Sequence, residues 1–239
     1  MADDPIPPAP PGRSGSGAGL ASQFGTRFLV TDTGRVEAFS DGVFAVAITI
    51  LVLDLHSPPH PPGRLAGGLL TEWPAYLGYL ISFAYIGVIW LNHHQAFNRI
   101  DLVDRGLHAA NLTLLFTTAA LPFPTGVLAD TLQEQLTSTD ARTAVVLYAI
   151  IAAAMCSSWL WIYAHLARHP GILADHVEPH YVRHGQIRSS AGLASYCLGG
   201  FLGWLVTPGI ALAVFLLLPA FYFITSEGIP RARRRTTRP

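Results

Sequence analysis

The chain contains no lysine; all 15 of its basic residues are arginine. It is also poor in charge of either sign. Charged residues make up 13% of the 239 positions, about half of the roughly 25% that a soluble domain carries. That shortage excludes an ordinary water-exposed globular surface. Only two cysteines occur, Cys156 and Cys197, each inside an apolar stretch and neither in a CxxC pair. A disulfide framework and a cysteine-based metal knuckle are therefore excluded. No HExxH, P-loop, dinucleotide-binding glycine fingerprint or Ser/His/Asp order appears. No catalytic residue, cofactor or metal ion is expected, and an enzyme is disfavoured. The first 26 residues, rich in Pro, Gly, Ser and Ala, hold no apolar core of the kind a signal peptide needs.

What the chain does have is apolar length. Hydrophobic residues make up 51% of it and its mean hydropathy is +0.38. Six apolar segments stand out, at about 36–55, 73–96, 107–128, 142–166, 188–207 and 209–225. Each is long enough, or nearly so, to cross a bilayer as a helix, and too continuous for a barrel strand. The expected fold is all-α: a multi-pass membrane protein of six transmembrane helices over residues 33–225. Residues 1–32 read as a disordered tail and 226–239 as an arginine-rich tail. Six spans put both termini on one side. With that side inside, only Arg64 and Arg142 of the 15 arginines fall outside, so the positive-inside rule makes both termini cytoplasmic and suggests the cell membrane. The tail arginines from Arg231 to Arg235 suit anionic lipid headgroups, and no nucleic-acid module accompanies them.

The first span opens on Arg35-Val36-Glu37-Ala38-Phe39-Ser40-Asp41 and runs on as a nearly unbroken apolar helix to Leu53. A carboxylate one turn inside such a helix is costly and demands a partner. In the six-span topology Arg35, Ser40 and Asp41 share a depth with Trp90, Asn92, His93 and His94 at the end of the second span. Asn111, early in the third, lies at that depth too. This polar belt offers Asp41 a histidine, an asparagine or Arg35, and serves as a folding network, a gating element or a proton- or metal-binding site.

Turning about 100° per residue from Gly42, Val46, Thr49 and Leu53 fall within roughly 40° of it, Ile50 lies at the border, and Ser40 and Asp41 point to the other half. The Gly42–Val46–Thr49–Leu53 stripe is either a packing seam or the wall of a pore built from several copies of this helix. In a pore, Val46 and Leu53 make hydrophobic constrictions and Thr49 a ring of hydroxyls.

The Arg35-x-x-x-Phe39-Ser40-Asp41 motif, with Trp90-Leu91-Asn92-His93-His94, Asn111-Leu112-Thr113 and Leu121-Pro122-Phe123-Pro124, resembles the bacterial branch of the transmembrane protein 175 family. These are potassium channels without a TVGYG filter, and the resemblance spans residues 33–225. It implies six-helix subunits assembled as homotetramers around a pore lined by the first helix. It implies passive flux of partly hydrated K⁺ in preference to Na⁺. By position, the main constriction becomes Val46, where relatives usually carry a larger aliphatic. Thr49 takes the selectivity position, and Arg35, Phe39, Ser40 and Asp41 the structural motif that holds the first helix against the second and third. The competing reading is a secondary transporter or metal-ion carrier, resting on the belt or on His165, His169, His176, His180 and His184 with Asp175 and Glu178. Within that set, His165/His169 and His180/His184 have the i, i+4 spacing of a metal pair.

Overall fold

The long helices start on a capping side chain or on a proline in the first turn. In the computed structural model, which describes residues 31–134 and 137–226, the Asp32 side chain accepts from the Gly34 amide at 3.0 Å and starts α1, Thr33–Ile50. Asp104 accepts from the Leu107 amide at 2.8 Å and starts α4, Arg105–Ala119. Ser138 does the same for Ala141 at the head of α6, Thr139–Arg168. Prolines stand in the first turns of α3 (Trp73–Phe97), α7 (Pro179–Leu205) and α8 (Pro208–Ile224), where their missing N–H costs nothing. A short helix α2, Leu65–Thr71, leads into α3.

The six expected spans are present as helical rods, with three adjustments. The first leaves α geometry at Ile50 and finishes as a 3-10 turn over Leu51–Asp54. The third is two helices: α4 stops at Ala119, and α5 runs Pro122–Glu134, beyond the expected end at 128. Pro122 and Pro124 explain the break, since a proline in mid-helix removes a bond and crowds the preceding turn. The fifth span starts earlier than 188, because α7 begins at Pro179 and carries His180 and His184. Thr33–Leu53, Trp73–Phe97, Arg105–Thr131 and Thr139–Arg168 are long and apolar enough to cross a membrane, and Pro208–Ile224 is a shorter apolar helix. Exposed Leu80, Phe116, Ile150 and Leu217 suit hydrocarbon surroundings. The chain is a helical membrane protein.

One element lay outside the all-α expectation. Thr31–Asp32 (β1) pairs antiparallel with Leu102–Val103 (β2), so the residues before α1 are clipped to the loop between α3 and α4. The fold therefore starts within the stretch read as tail. The remainder of that tail and the arginine-rich tail lie outside the described residues.

The densest packing is between α6 and α7, with α4 and α5 against α6 and α8 against α7. Glycine permits that closeness: a Cβ at Gly200 would lie 2.5 Å from the Ala149 Cβ, and one at Gly203 would lie 2.7 Å from that of Ala211. The small residues of the fifth span are accounted for by packing inside one chain. Arg142 donates to the carbonyl oxygens of Trp204 and Val206 at the end of α7, the usual place for a cation on a helix. Helix α1 sits at the edge of this bundle, packed mainly on α3 and α4.

Candidate functional site

Helix α1 has two faces of opposite character. Val36, Ser40, Phe44, Ala47 and Leu51 are buried against α3 and α4. On the opposite face Gly42 and Thr49 are exposed, as are Val46 (60%), Ile50 (40%) and Leu53 (71%). A Cβ at Gly42 would meet nothing within 4 Å. This stripe is continuous for the length of the helix and carries no titratable side chain between Arg35 and Leu53.

Thr49 is the polar point on the stripe. Its hydroxyl donates to the Val46 carbonyl oxygen at 2.9 Å, as helical threonines do. The proton is thereby committed to the helix, and the oxygen lone pairs remain available on the exposed face. A hydroxyl held this way is an acceptor, suited to a cation.

The buried face is held by a directional chain of hydrogen bonds. Ser40 Oγ donates to the Val36 carbonyl oxygen at 2.8 Å and accepts from Asn111 Nδ2 at 3.0 Å. That fixes the Asn111 amide, so its Oδ1 faces His93 Nε2 at 2.9 Å and the imidazole donates from Nε2. Ser40, His93 and Asn111 are each essentially inaccessible. The His93 ring stacks on Phe97 with centroids 4.1 Å apart and meets the edge of Phe44 at 5.1 Å. Three helices, α1, α3 and α4, are thus registered at one node.

Asp41 is not held by a histidine, an asparagine or Arg35. It accepts from the Trp90 indole Nε1 at 2.9 Å. Beside it, Glu37 lies 2.5 Å from His94 Nδ1, a pair that the sequence reading missed. Its signal was available, because Glu37 precedes Asp41 by four residues and shares its face. Asn92 turns elsewhere and accepts from Arg188 of α7 at 3.0 Å. Arg35 and Phe39 are corrections to the structural motif. Arg35 is exposed and Phe39 is 57% exposed, on the side of Val46 and not toward α3 and α4. Helical phase explains it, since Phe39 lies about 100° around the helix from Ser40, toward the Val46 side. Trp90→Phe removes the donor to Asp41 while keeping a ring to lie against His94. It is expected to cost about 0.5–1.5 kcal/mol, read as a lower thermal midpoint of the detergent-solubilised protein with unchanged elution on size exclusion.

Away from α1 the structure shows two further polar features. Tyr85 of α3 and Tyr196 of α7 meet through their hydroxyls at 2.5 Å in the fully buried core; no sequence pattern pairs residues so far apart. At the end of the bundle where α4 begins and α6 ends, His165 Nε2 lies 2.8 and 2.9 Å from the Asp104 carboxylate oxygens. Against desolvation, which acts to raise it, the Leu107 amide and His165 hold the Asp104 carboxyl below its usual range. Asp104, and not Asp175 or Glu178 of the histidine-rich group, is the partner of His165.

Fold and site together define an integral membrane protein whose first helix presents an uncovered, uncharged face with one hydroxyl. Residues 35–122 match the family described as the endosomal/lysosomal potassium channel TMEM175. A potassium channel of Streptomyces collinus is 38% identical over 202 residues, covering 84% of this chain and 96% of that one. The human endosomal/lysosomal proton channel TMEM175 is 36% identical over 97 residues, 37% of this chain and 19% of that one. The crystal structure of a lysosomal potassium-selective channel TMEM175 homologue from Chamaesiphon minutus superimposes with a TM-score of 0.70 at 33% identity, over 82% of this chain and 98% of that one. The chain belongs to the TMEM175 family.

Proposed function

We propose that this protein is a potassium-permeable cation channel of the cell membrane, with a pore lined by α1 from each of four copies. The observation that carries the reading is the stripe from Gly42 to Leu53: exposed in the single subunit, apolar, and interrupted only by Thr49. The apolar residues of such a face suit lipid or a second copy alike; the small Gly42 and the Thr49 hydroxyl set among them favour a face that other copies complete. A ring of such faces makes a narrow, uncharged passage, with Val46 and Leu53 as hydrophobic narrowings and Ile50 at the flank. Ions cross it with part of their water, and catalysis has no role. The relatives named as potassium channels support the same assignment. Because no titratable group interrupts the stripe, the reading favours K⁺ itself over a relay of protons along α1.

Four Thr49 oxygens would form a layer of acceptors across the passage. They favour the ion that sheds water more readily, K⁺ over Na⁺, with a weaker field than a full carbonyl cage. The direct test is K⁺ flux from liposomes holding the purified protein, set beside Na⁺ flux in the same preparation. Absence of K⁺ flux from correctly assembled protein would overturn the reading. Thr49→Ala is expected to lower the K⁺/Na⁺ permeability ratio, measured as a shift of reversal potential under bi-ionic conditions. An unmoved reversal potential removes Thr49 from the selectivity position.

A further inference from the structure

We propose that Asp104, His165 and His169 form a binding site for a divalent transition-metal ion of the Zn²⁺ class, joining the start of α4 to the end of α6. Among the described residues this is the group that brings three such ligands together, with one donor atom from each lying within 4.8 Å of the others. The inference is independent of ion permeation.

Each ligand is already oriented. The Asp104 carboxylate is fixed by the Leu107 amide at 2.8 Å. His165 lies over Gly106, where a Cβ would stand 2.4 Å from its Cε1, so only glycine lets the ring reach the carboxylate. His169, one turn further along, stacks on His165 with centroids 4.3 Å apart. Its Nδ1 lies 3.1 Å from the His165 carbonyl oxygen. With the proton on Nδ1, that contact is a hydrogen bond and leaves the Nε2 lone pair free, the outer-sphere arrangement that fixes a ligating histidine.

The donor set decides the metal. Two imidazoles and one carboxylate suit Zn²⁺ and its borderline neighbours, whereas Mg²⁺ and Ca²⁺ call for oxygen throughout. His169 is exposed, which leaves a fourth position open to water. Tetrahedral bonds of about 2.0–2.1 Å place ligand atoms roughly 3.3 Å apart. The His165–Asp104 contact at 2.8 Å therefore opens by about half an ångström as the ion enters and a proton shared by that contact leaves to solvent. The competing histidines on α7 are less complete: His180 pairs with Glu178 at 2.9 Å and touches His184, and both partners of that pair are solvent-exposed.

The test is calorimetric titration of the full-length, tag-free protein in detergent with Zn²⁺ alone. One ion per subunit is expected, with a higher thermal midpoint that EDTA reverses. His169→Ala, an exposed position, is expected to keep the fold and weaken Zn²⁺ at least tenfold, while the double change His180→Ala with His184→Ala leaves affinity unchanged. Co²⁺ substituted for Zn²⁺ is expected to show visible d–d bands that His169→Ala abolishes. The proposal is overturned by wild-type protein that takes up no Zn²⁺. It is equally overturned if H169A binds as tightly as wild type, or if the α7 double variant loses the ion instead.

Discussion

Replacing Val46 by phenylalanine is expected to lower K⁺ flux at least tenfold while leaving the subunit folded. Val46 is 60% exposed, so a larger side chain there displaces nothing inside its own bundle. In the proposed ring it adds a phenyl group from every copy at one level of the passage. A narrowing lined by hydrocarbon conducts only while it stays wetted, and four phenyl rings remove the room for a partly hydrated ion. A tenfold change corresponds to about 1.4 kcal/mol of barrier, a modest demand on such a constriction. Val46→Ala is expected to move flux the other way. The control is Leu80→Phe, at a position on α3 that is 62% exposed but not on the α1 stripe; liposome flux should ignore it. Equal loss from both variants would mean that exposed apolar bulk acts through lipid or folding, and the pore assignment of α1 would fail.

The second large effect concerns the node at Asn111. Asn111→Leu has nearly the same size but neither donates nor accepts. It strips the His93 Nε2–H of its acceptor and Ser40 of its donor in a place with no access to water. Ser40 keeps its bond to the Val36 carbonyl oxygen, so the main penalty falls on His93. An orphaned buried polar group costs about 1–3 kcal/mol, more than the roughly 0.6 kcal/mol that an average interhelical hydrogen bond contributes in a membrane protein. The larger figure applies because His93 is hemmed in by Phe44 and Phe97 and has no second partner to turn to. The expected result is a clearly lower thermal midpoint and loss of assembled protein on size exclusion. His93→Phe together with Asn111→Leu should recover part of the loss, since it removes the orphan. If N111L elutes and melts as wild type does, the node contributes no stability.

Much of this arrangement was legible before any coordinates. Apolar length set out six rods, and the depth argument put Ser40, Asp41, His93 and Asn111 in one layer. Helical phase separated the two faces of α1. Phase says which way a residue points but not what covers it, so Asp41 met Trp90 instead of the expected partners. Phe39 parts from Ser40 because the residues of the motif straddle both faces of α1. The break before Pro122 could have been read from Leu121-Pro122-Phe123-Pro124. The two-residue ribbon could not, since pairs this short have no period to detect. The meetings of Tyr85 with Tyr196, Arg188 with Asn92 and Asp104 with His165 depend on how α6 and α7 are seated, which no local pattern encodes.

The ribbon between Thr31–Asp32 and Leu102–Val103 has a mechanical consequence. It pins the Arg35 end of α1 to the α3–α4 loop, while past Ile50 the far end winds into a tighter 3-10 turn. A lever pinned at one end swings most at the other. In the proposed pore, any tilting of α1 would leave the level of Arg35 nearly still and carry Leu53 furthest.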